Sequence, residues 1–228
     1  MATRIPTEHR AMRKRPKQQR SQNTVESIVE AGARVLAQRG WANFTTNEVA
    51  HTAGVSIGSL YQYFPNNLAI AEAIRKRHLD EILKVLPDIK TQGERVPLEE
   101  HIGRLIDAVV TLHATNQDLH RVLIDEVPLA PREFYDAFER EYHRRYEDLI
   151  RAAAPPDDTE TDHLVAARIL ADALEGIVHS ASRRNELMSP VIKREATRMI
   201  MSYLLARERT REAGHAKGGA LCEQPEAA

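Results

Sequence analysis

Residues 44–66 read FTTNEVAHTAGVSIGSLYQYFPN. Thr45 or Thr46 supplies the N-cap of a short helix that puts Val49, Ala50 and Ala53 on one inner face. Gly54 closes that helix, and Ser56 caps a second whose inward positions, Leu60 and Phe64, form an i, i+4 pair. Pro65 forbids simple continuation, so a longer helix is predicted from about Asn67 to Leu86. Ala50 is small enough for the two short helices to cross closely. Gly54 suits a left-handed turn and Val55 plugs the angle between them, which together make a helix-turn-helix. Packing leaves one face over: Ile57, Ser59, Tyr61, Gln62 and Tyr63 point outward in this reading, and the fold does not require them.

Working outward, 228 residues with 42% apolar and 29% charged content describe a soluble globular chain of one or two domains. No apolar run approaches the roughly 18 residues of a membrane helix, and the basic N-terminus lacks the apolar stretch of a signal peptide. A cytoplasmic protein without membrane contact is expected. The single cysteine, Cys222, offers neither an internal disulfide nor a thiolate metal site. Charge is uneven: residues 1–20 carry seven Arg and Lys against Glu8 alone, so the segment 1–64 stands at +5 and the rest at −6. A basic end on an acidic body fits a chain that presents that end to a polyanion, and a solvated basic tail gives the same count.

Helical periodicity runs through almost everything after residue 20, and nothing reads as a period-two strand. The fold class is therefore all-α, with an N-terminal three-helix head and a larger C-terminal helical domain. The first helix carries Val25, Ile28, Val29, Val35 and Leu36, with Asn23 and Glu26 spaced as a capping box. Gly40 ends it, and Trp41 follows as the apolar partner of a Schellman stop. Further helices are expected at about Leu98–Ala114, Gln117–Glu126, Arg132–Ala153, Thr161–Arg183 and Ser189–Arg209. The boundaries are a disordered basic arm over 1–20, a head over 21–81, a regulatory and dimerisation domain over 82–209, and a disordered tail over 210–228.

The 44–66 stretch resembles the tetracycline-repressor (TetR) family of bacterial transcription regulators. It is similar in the Thr before helix two, the A-x-x-A-G-V-S turn, the G-x-L-Y-x-Y-F recognition helix and the Pro before helix four. The detailed resemblance covers about residues 21–81. One departure is that the family often has a Lys and then a Glu at the start of helix four, where this chain has Asn67 and Leu68. The resemblance implies a double-stranded DNA operator as partner. Thr46 and Ser56 then serve as phosphate anchors at helix starts. Gly58 allows close approach, Tyr61 and Tyr63 contact the backbone, Gln62 reads a base, and Ile57 meets a thymine methyl beside Ser59. Asn67 donates a hydrogen bond where the family's Lys meets phosphate. Arg13, Lys14, Arg15, Lys17 and Arg20 of the arm track phosphates or enter a minor groove.

One short recognition helix contacts too few bases, so a homodimer on a palindromic site is expected. Its interface is assigned to the last two helices through Ala173, Gly176, Ile177, Met199, Ile200 and Tyr203. An unknown small-molecule effector is assigned to the middle helices through His113, Phe138 and Tyr142, an aromatic and histidine stripe of the kind that lines pockets. The expected function is a repressor released from its operator by that effector. No HExxH, G-x-S-x-G or Gly-rich phosphate loop supports catalysis, and no cofactor or metal is expected. Glu99, Glu100 and His101 read as an exposed helix face. The alternatives are a helical ligand-binding or scaffold protein without DNA binding, and a metal-dependent helical enzyme.

Overall fold

A computed structural model describes residues 11–13, 18–86, 97–128, 134–153 and 160–219, and of these only the backbone course at 152–153, 160–162 and 208–219. Helices are the only regular structure among the described residues. They are α1 (Gln19–Arg39), a 3-10 turn (Trp41–Asn43), α2 (Thr46–Ala53), α3 (Ile57–Tyr63), α4 (Asn67–Val85), α5 (Leu98–Thr115), α6 (Gln117–Asp125), α7 (Asp136–Ala153), α8 (Glu160–Arg183) and α9 (Pro190–Gly219). The chain divides into two compact units: Met1–Val85 with Leu112–Glu139, and Leu86–Thr111 with Arg140–Ala228.

The first unit closes around a core that includes Ile28 and Leu36 of α1, Val49 of α2, Leu60 of α3, Ile70 and Ile74 of α4, and Val122 of α6, with Phe44 and Phe64 from the connections. Each is buried, contributing on the order of 1.5–3 kcal/mol. Gly54 sits at φ +67°, ψ +27°, the left-handed turn the sequence asked for, and its N–H caps α2 at the Ala50 and His51 carbonyls. Of the two candidate caps, Thr45 is the one used: its side chain accepts from the Glu48 N–H at 3.3 Å. Ser56 caps α3 as expected, and Asn66 starts α4 by accepting from the Ala69 N–H at 2.9 Å.

Several boundaries differ from expectation, three of them with a clear cause. Helix α1 begins at Gln19, so Asn23 lies inside it and the Asn23–Glu26 capping box does not form. Gln19 instead donates to Asn23 Oδ1 at 2.8 Å, and Gln, Arg and Ser in the first turn sustain the helix. Gly40 ends α1 at φ +70° but ψ 174°, outside the left-handed well, so Trp41 opens a 3-10 turn rather than completing a Schellman stop. Helix α9 continues to Gly219, past the expected end at Arg209, through a stretch rich in Glu, Arg, Ala and Lys. Residues 220–228, including Cys222, lie outside the described residues.

Helix α6 was expected in the regulatory domain, yet it belongs to the head's unit. Its face of Leu119, Val122 and Leu123, continued by Val127, joins the head core. A buried pair fixes the arrangement: Arg75 of α4 donates to Glu72 at 2.8 Å and to the Leu123 carbonyl at 3.1 Å, with longer contacts to the Val127 and Pro128 carbonyls. At the other end, Glu126 accepts the Trp41 backbone N–H at 2.9 Å and pairs with Arg121 at 3.1 Å.

In the second unit, Ile102, Leu105, Ile106 and Val109 of α5, Tyr142, Tyr146 and Leu149 of α7, Ala166, Leu170, Leu174 and Val178 of α8, and Ala196, Ile200 and Leu204 of α9 are buried at helical spacing. Lys193 of α9 pairs with Asp107 of α5 at 2.7 Å. Helix α8 ends where Asn185 takes φ +55°, with the Glu186 N–H returning to the Ala181 carbonyl. Glu99 and Glu100 are exposed as expected, but His101 is buried because it falls beside Ile102 and one turn from Leu105 on the inner face of α5.

Candidate nucleic-acid interface

The outer face of α3 is built by subtraction: Leu60, Tyr63 and Phe64 hold the helix to the core, and the remaining positions turn away from it. Ile57 is 39% exposed and Tyr61 41% exposed, values too high for core roles, and Ser56, Gly58 and Gln62 are exposed with them. Ser59 is half-buried. Its N–H donates to Ser56 Oγ at 3.0 Å, and the two hydroxyls lie 2.8 Å apart, which stiffens the first turn of α3.

Tyr61 is fixed across the motif. Its hydroxyl lies 3.0 Å from Thr46 Oγ1, at the first residue of α2. Two hydroxyls therefore meet beside the opening N–H groups of α2, the part of a helix that favours an anion. Below them, the Arg13 N–H donates to the Tyr63 carbonyl at 2.7 Å, and its guanidinium reaches the Tyr61 carbonyl at 3.4 Å. Met12 packs on the head core. The arm is thus docked at Met12 and Arg13 rather than disordered through residue 20. Arg13 braces the C-terminal end of α3, and Arg20 stands exposed in α1; Lys14, Arg15 and Lys17 lie outside the described residues.

One assigned contact is corrected, and a second is found already engaged. Tyr63 is buried, because residues 60, 63 and 64 are i, i+3, i+4 and share the packed face, so its ring belongs with Leu60 and Phe64. Asn67 donates from Nδ2 to the Phe44 carbonyl at 3.0 Å, bracing the start of α4 against the loop before α2. That bond uses one of the two N–H donors of the amide.

The other assigned residues fall elsewhere. His113 is buried beside His78 and His120 in the first unit, and Phe138 is half-buried in the same unit. Tyr142 lies in the second unit, its hydroxyl 3.2 Å from that of Tyr146. Burial pushes the Tyr142 phenol up to about 12, partly offset by the Tyr146 hydrogen bond and reinforced by Glu175 and Asp172. Burial carries Tyr146 well above the ordinary range too. Both are neutral hydrogen-bonding groups at physiological pH. Nearby, hydrogen bonding to Arg144, against the raising effect of burial and with help from Arg145, holds the Glu141 carboxyl down to about 2. Among the interface residues, Gly176 and Met199 are exposed, and Ala173, Ile177 and Tyr203 are half-buried. Ile200 is fully buried within one chain, because it shares its face with Ala196 and Leu204, and is corrected to core.

Sequence reading missed Arg75, Glu72, Glu126, His78 and His120. Glu72 and Arg75 carried a signal, an i, i+3 charge pair inside the apolar run of α4.

Family comparison agrees with this geometry. Residues 28–74 match the model described as bacterial regulatory proteins of the tetR family, and residues 97–204 match a tetracyclin repressor-like C-terminal domain. The chain belongs to the TetR family of bacterial transcription regulators. As a member of that family it is a regulator and not an enzyme. It is 24% identical over 202 residues to an HTH-type transcriptional regulator of Mycobacterium bovis, covering 84% of this chain and 98% of that one. It is 22% identical over 93 residues to an HTH-type transcriptional regulator of Staphylococcus aureus, covering 41% of this chain and only 46% of that one's length. Among solved structures it is similar to SmeT, the repressor of a Stenotrophomonas maltophilia multidrug efflux pump, at 24% identity and a TM-score of 0.61, covering 82% of this chain and 91% of that one. SmeT is also known in complex with triclosan. At this identity the structural likeness speaks for the fold alone. No described helix is long and apolar enough to cross a membrane.

Proposed function

We propose that the chain acts as a homodimeric repressor that binds a palindromic DNA operator through α3 and is released by a small molecule held within residues 97–204. The carrying observation is the outward face of α3, where Ile57, Gly58, Tyr61 and Gln62 remain after the core has taken its share, with Tyr61 fixed to Thr46 at the start of α2. Gln62 reads a base through its amide, Ile57 meets a thymine methyl, and the hydroxyls with the α2 N–H groups take phosphate. Exposed apolar side chains on α8 and α9, among them Leu164, Val165, Ile169, Met199 and Leu205, support pairing with a second copy beside Gly176. Tyr142, neutral and deep in the second unit, suits the few polar groups an apolar effector pocket carries. The triclosan complex of SmeT supports an effector of that kind. An effector that prefers one separation of the two recognition helices shifts the population away from operator-competent dimers, and a tenfold loss of affinity needs about 1.4 kcal/mol of coupling.

The test is selection of genomic fragments bound by the purified protein, followed by anisotropy on the recovered site and sedimentation. A two-fold symmetric site bound by a dimer, lost on Gln62→Ala with the dimer intact, is expected. A dimer that binds no duplex at any salt concentration would favour the scaffold reading instead.

A further inference from the structure

Three histidines on three helices converge inside the first unit. His78 of α4, His113 of α5 and His120 of α6 are each buried. The ring centroids of His113 and His120 are 4.3 Å apart, those of His78 and His120 are 5.1 Å apart, and those of His78 and His113 are 6.2 Å apart. His78 Nε2 and His120 Nδ1 are hydrogen bonded at 2.9 Å. A ring nitrogen of His113 and one of His120 lie within 4.8 Å of each other. Apolar side chains of similar volume would pack this corner without burying polar rings, so a core role alone leaves the choice of three imidazoles without a reason.

We propose that His113 and His120 ligate a divalent transition metal of the zinc, cobalt or nickel class, with His78 as the positioning residue that orients His120. The donor set decides the class: neutral imidazole suits these ions, whereas magnesium and calcium want oxygen. Metal bonds of about 2.0–2.1 Å put two nitrogens of a tetrahedral site roughly 3.3 Å apart, so modest rotation of the two rings brings their nitrogens into place. The hydrogen bond to His78 engages His120 Nδ1, which assigns ligation to His120 Nε2 and fixes its tautomer, as outer-shell partners of metal-bound histidines do. A bound ion would tie the end of α5 to α6 and, through His78, to α4, the helix that follows the recognition helix. The inference does not depend on DNA binding.

Tag-free full-length protein is titrated with cobalt(II), with zinc as competitor. The expected result is one cobalt per chain with the intense visible bands of a four-coordinate ion, bleached by zinc. His113→Gln with His120→Asn should abolish the bands while circular dichroism stays helical. His78→Ala should weaken binding roughly 10–100-fold, and His78→Gln, which keeps a hydrogen-bonding group, should restore part of it. X-ray absorption of zinc-loaded wild type needs no variant and should show scattering from at least two imidazole rings. Folded wild type that binds no cobalt, bands that persist in the double variant, or a zinc shell without imidazole would each overturn the proposal.

Discussion

Replacing Arg75 with methionine should expose how much the head depends on α6. In the native chain the guanidinium is almost fully buried, bonded to Glu72 at 2.8 Å and to the Leu123 carbonyl at 3.1 Å. Arg75→Met keeps the stem's volume and removes the charge, leaving the Glu72 carboxylate in a low-dielectric interior. Breaking a buried pair in this way costs roughly 3–5 kcal/mol. Arg75→Met combined with Glu72→Met removes both charges, and the loss should fall below about 2 kcal/mol, since an apolar replacement of the whole pair is often nearly neutral. Trp41 is the sole tryptophan and lies half-buried in the same unit, so its emission during urea unfolding follows this unit rather than the whole chain. The single variant should lower the urea midpoint sharply with little change of slope, and the double variant should recover most of it. A single variant that costs under about 1 kcal/mol, or a double variant no better than the single, would refute the claim that the pair is a desolvated unit.

Gln62→Ala should cost roughly 1–3 kcal/mol of operator affinity without changing the slope of log affinity against log salt, because in the proposed complex the amide reads a base, and it carries no charge. An equal loss on random duplex in the same anisotropy assay would make Gln62 a backbone contact instead. Gly40→Ala should destabilise the first unit by at least about 1–2 kcal/mol, since Gly40 has φ +70° and an added Cβ would lie 2.7 Å from Glu126 Oε2. Trp41 emission in the folded state should shift as Glu126 moves, and an unshifted spectrum at unchanged midpoint would contradict this. Tyr142 has its pKa raised from 10.0 to about 12, so the unfolded chain ionises first as pH climbs. The stability it provides is complete below pH 10 and declines as pH rises from there toward 12, by roughly 2–3 kcal/mol. Tyr142→Phe should flatten that stretch of an alkaline unfolding profile; an unchanged profile would mean the phenol is hydrated. Arg13→Gln should weaken operator binding with an almost unchanged salt slope, whereas a slope smaller by about one would mark Arg13 as a phosphate contact.

The head was legible because its signals are local. Gly54, Ser56 and the Leu60–Phe64 pair determine their own surroundings within one turn, and each stands where its chemistry placed it. Tyr63 went astray for a reason also local: with Leu60 three residues before it, helical spacing puts it inward, although its half-polar ring was counted with the outward face. Asn67, Arg75 and Glu126 could not be read the same way. Their partners, Phe44, Leu123 and Trp41, lie 23, 48 and 85 residues away, and no periodicity within a helix reveals a contact at that range. The same limit hid the histidine cluster: His113 stood out only as part of the effector stripe, while His78 and His120 are on other helices and each alone reads as an ordinary core or surface residue.

These corrections change what holds the proposed operator complex together. Asn67 is engaged by the Phe44 carbonyl, Tyr63 is packed, Arg13 is turned toward the α3 carbonyls, and Arg39 is paired with Glu48 at 2.8 Å. Among the described residues, the outward groups of α3 and the start of α2 proposed to meet DNA are uncharged: the Gln62 amide, the Ile57 side chain, the hydroxyls of Thr46, Ser56 and Tyr61, and the N–H groups at the start of α2. Such groups recognise phosphate by position and bases by shape, and they release few counterions. In the proposed dimer, affinity would then rest on how well the two heads are spaced to meet one operator at once, and spacing would be the quantity an effector has to change.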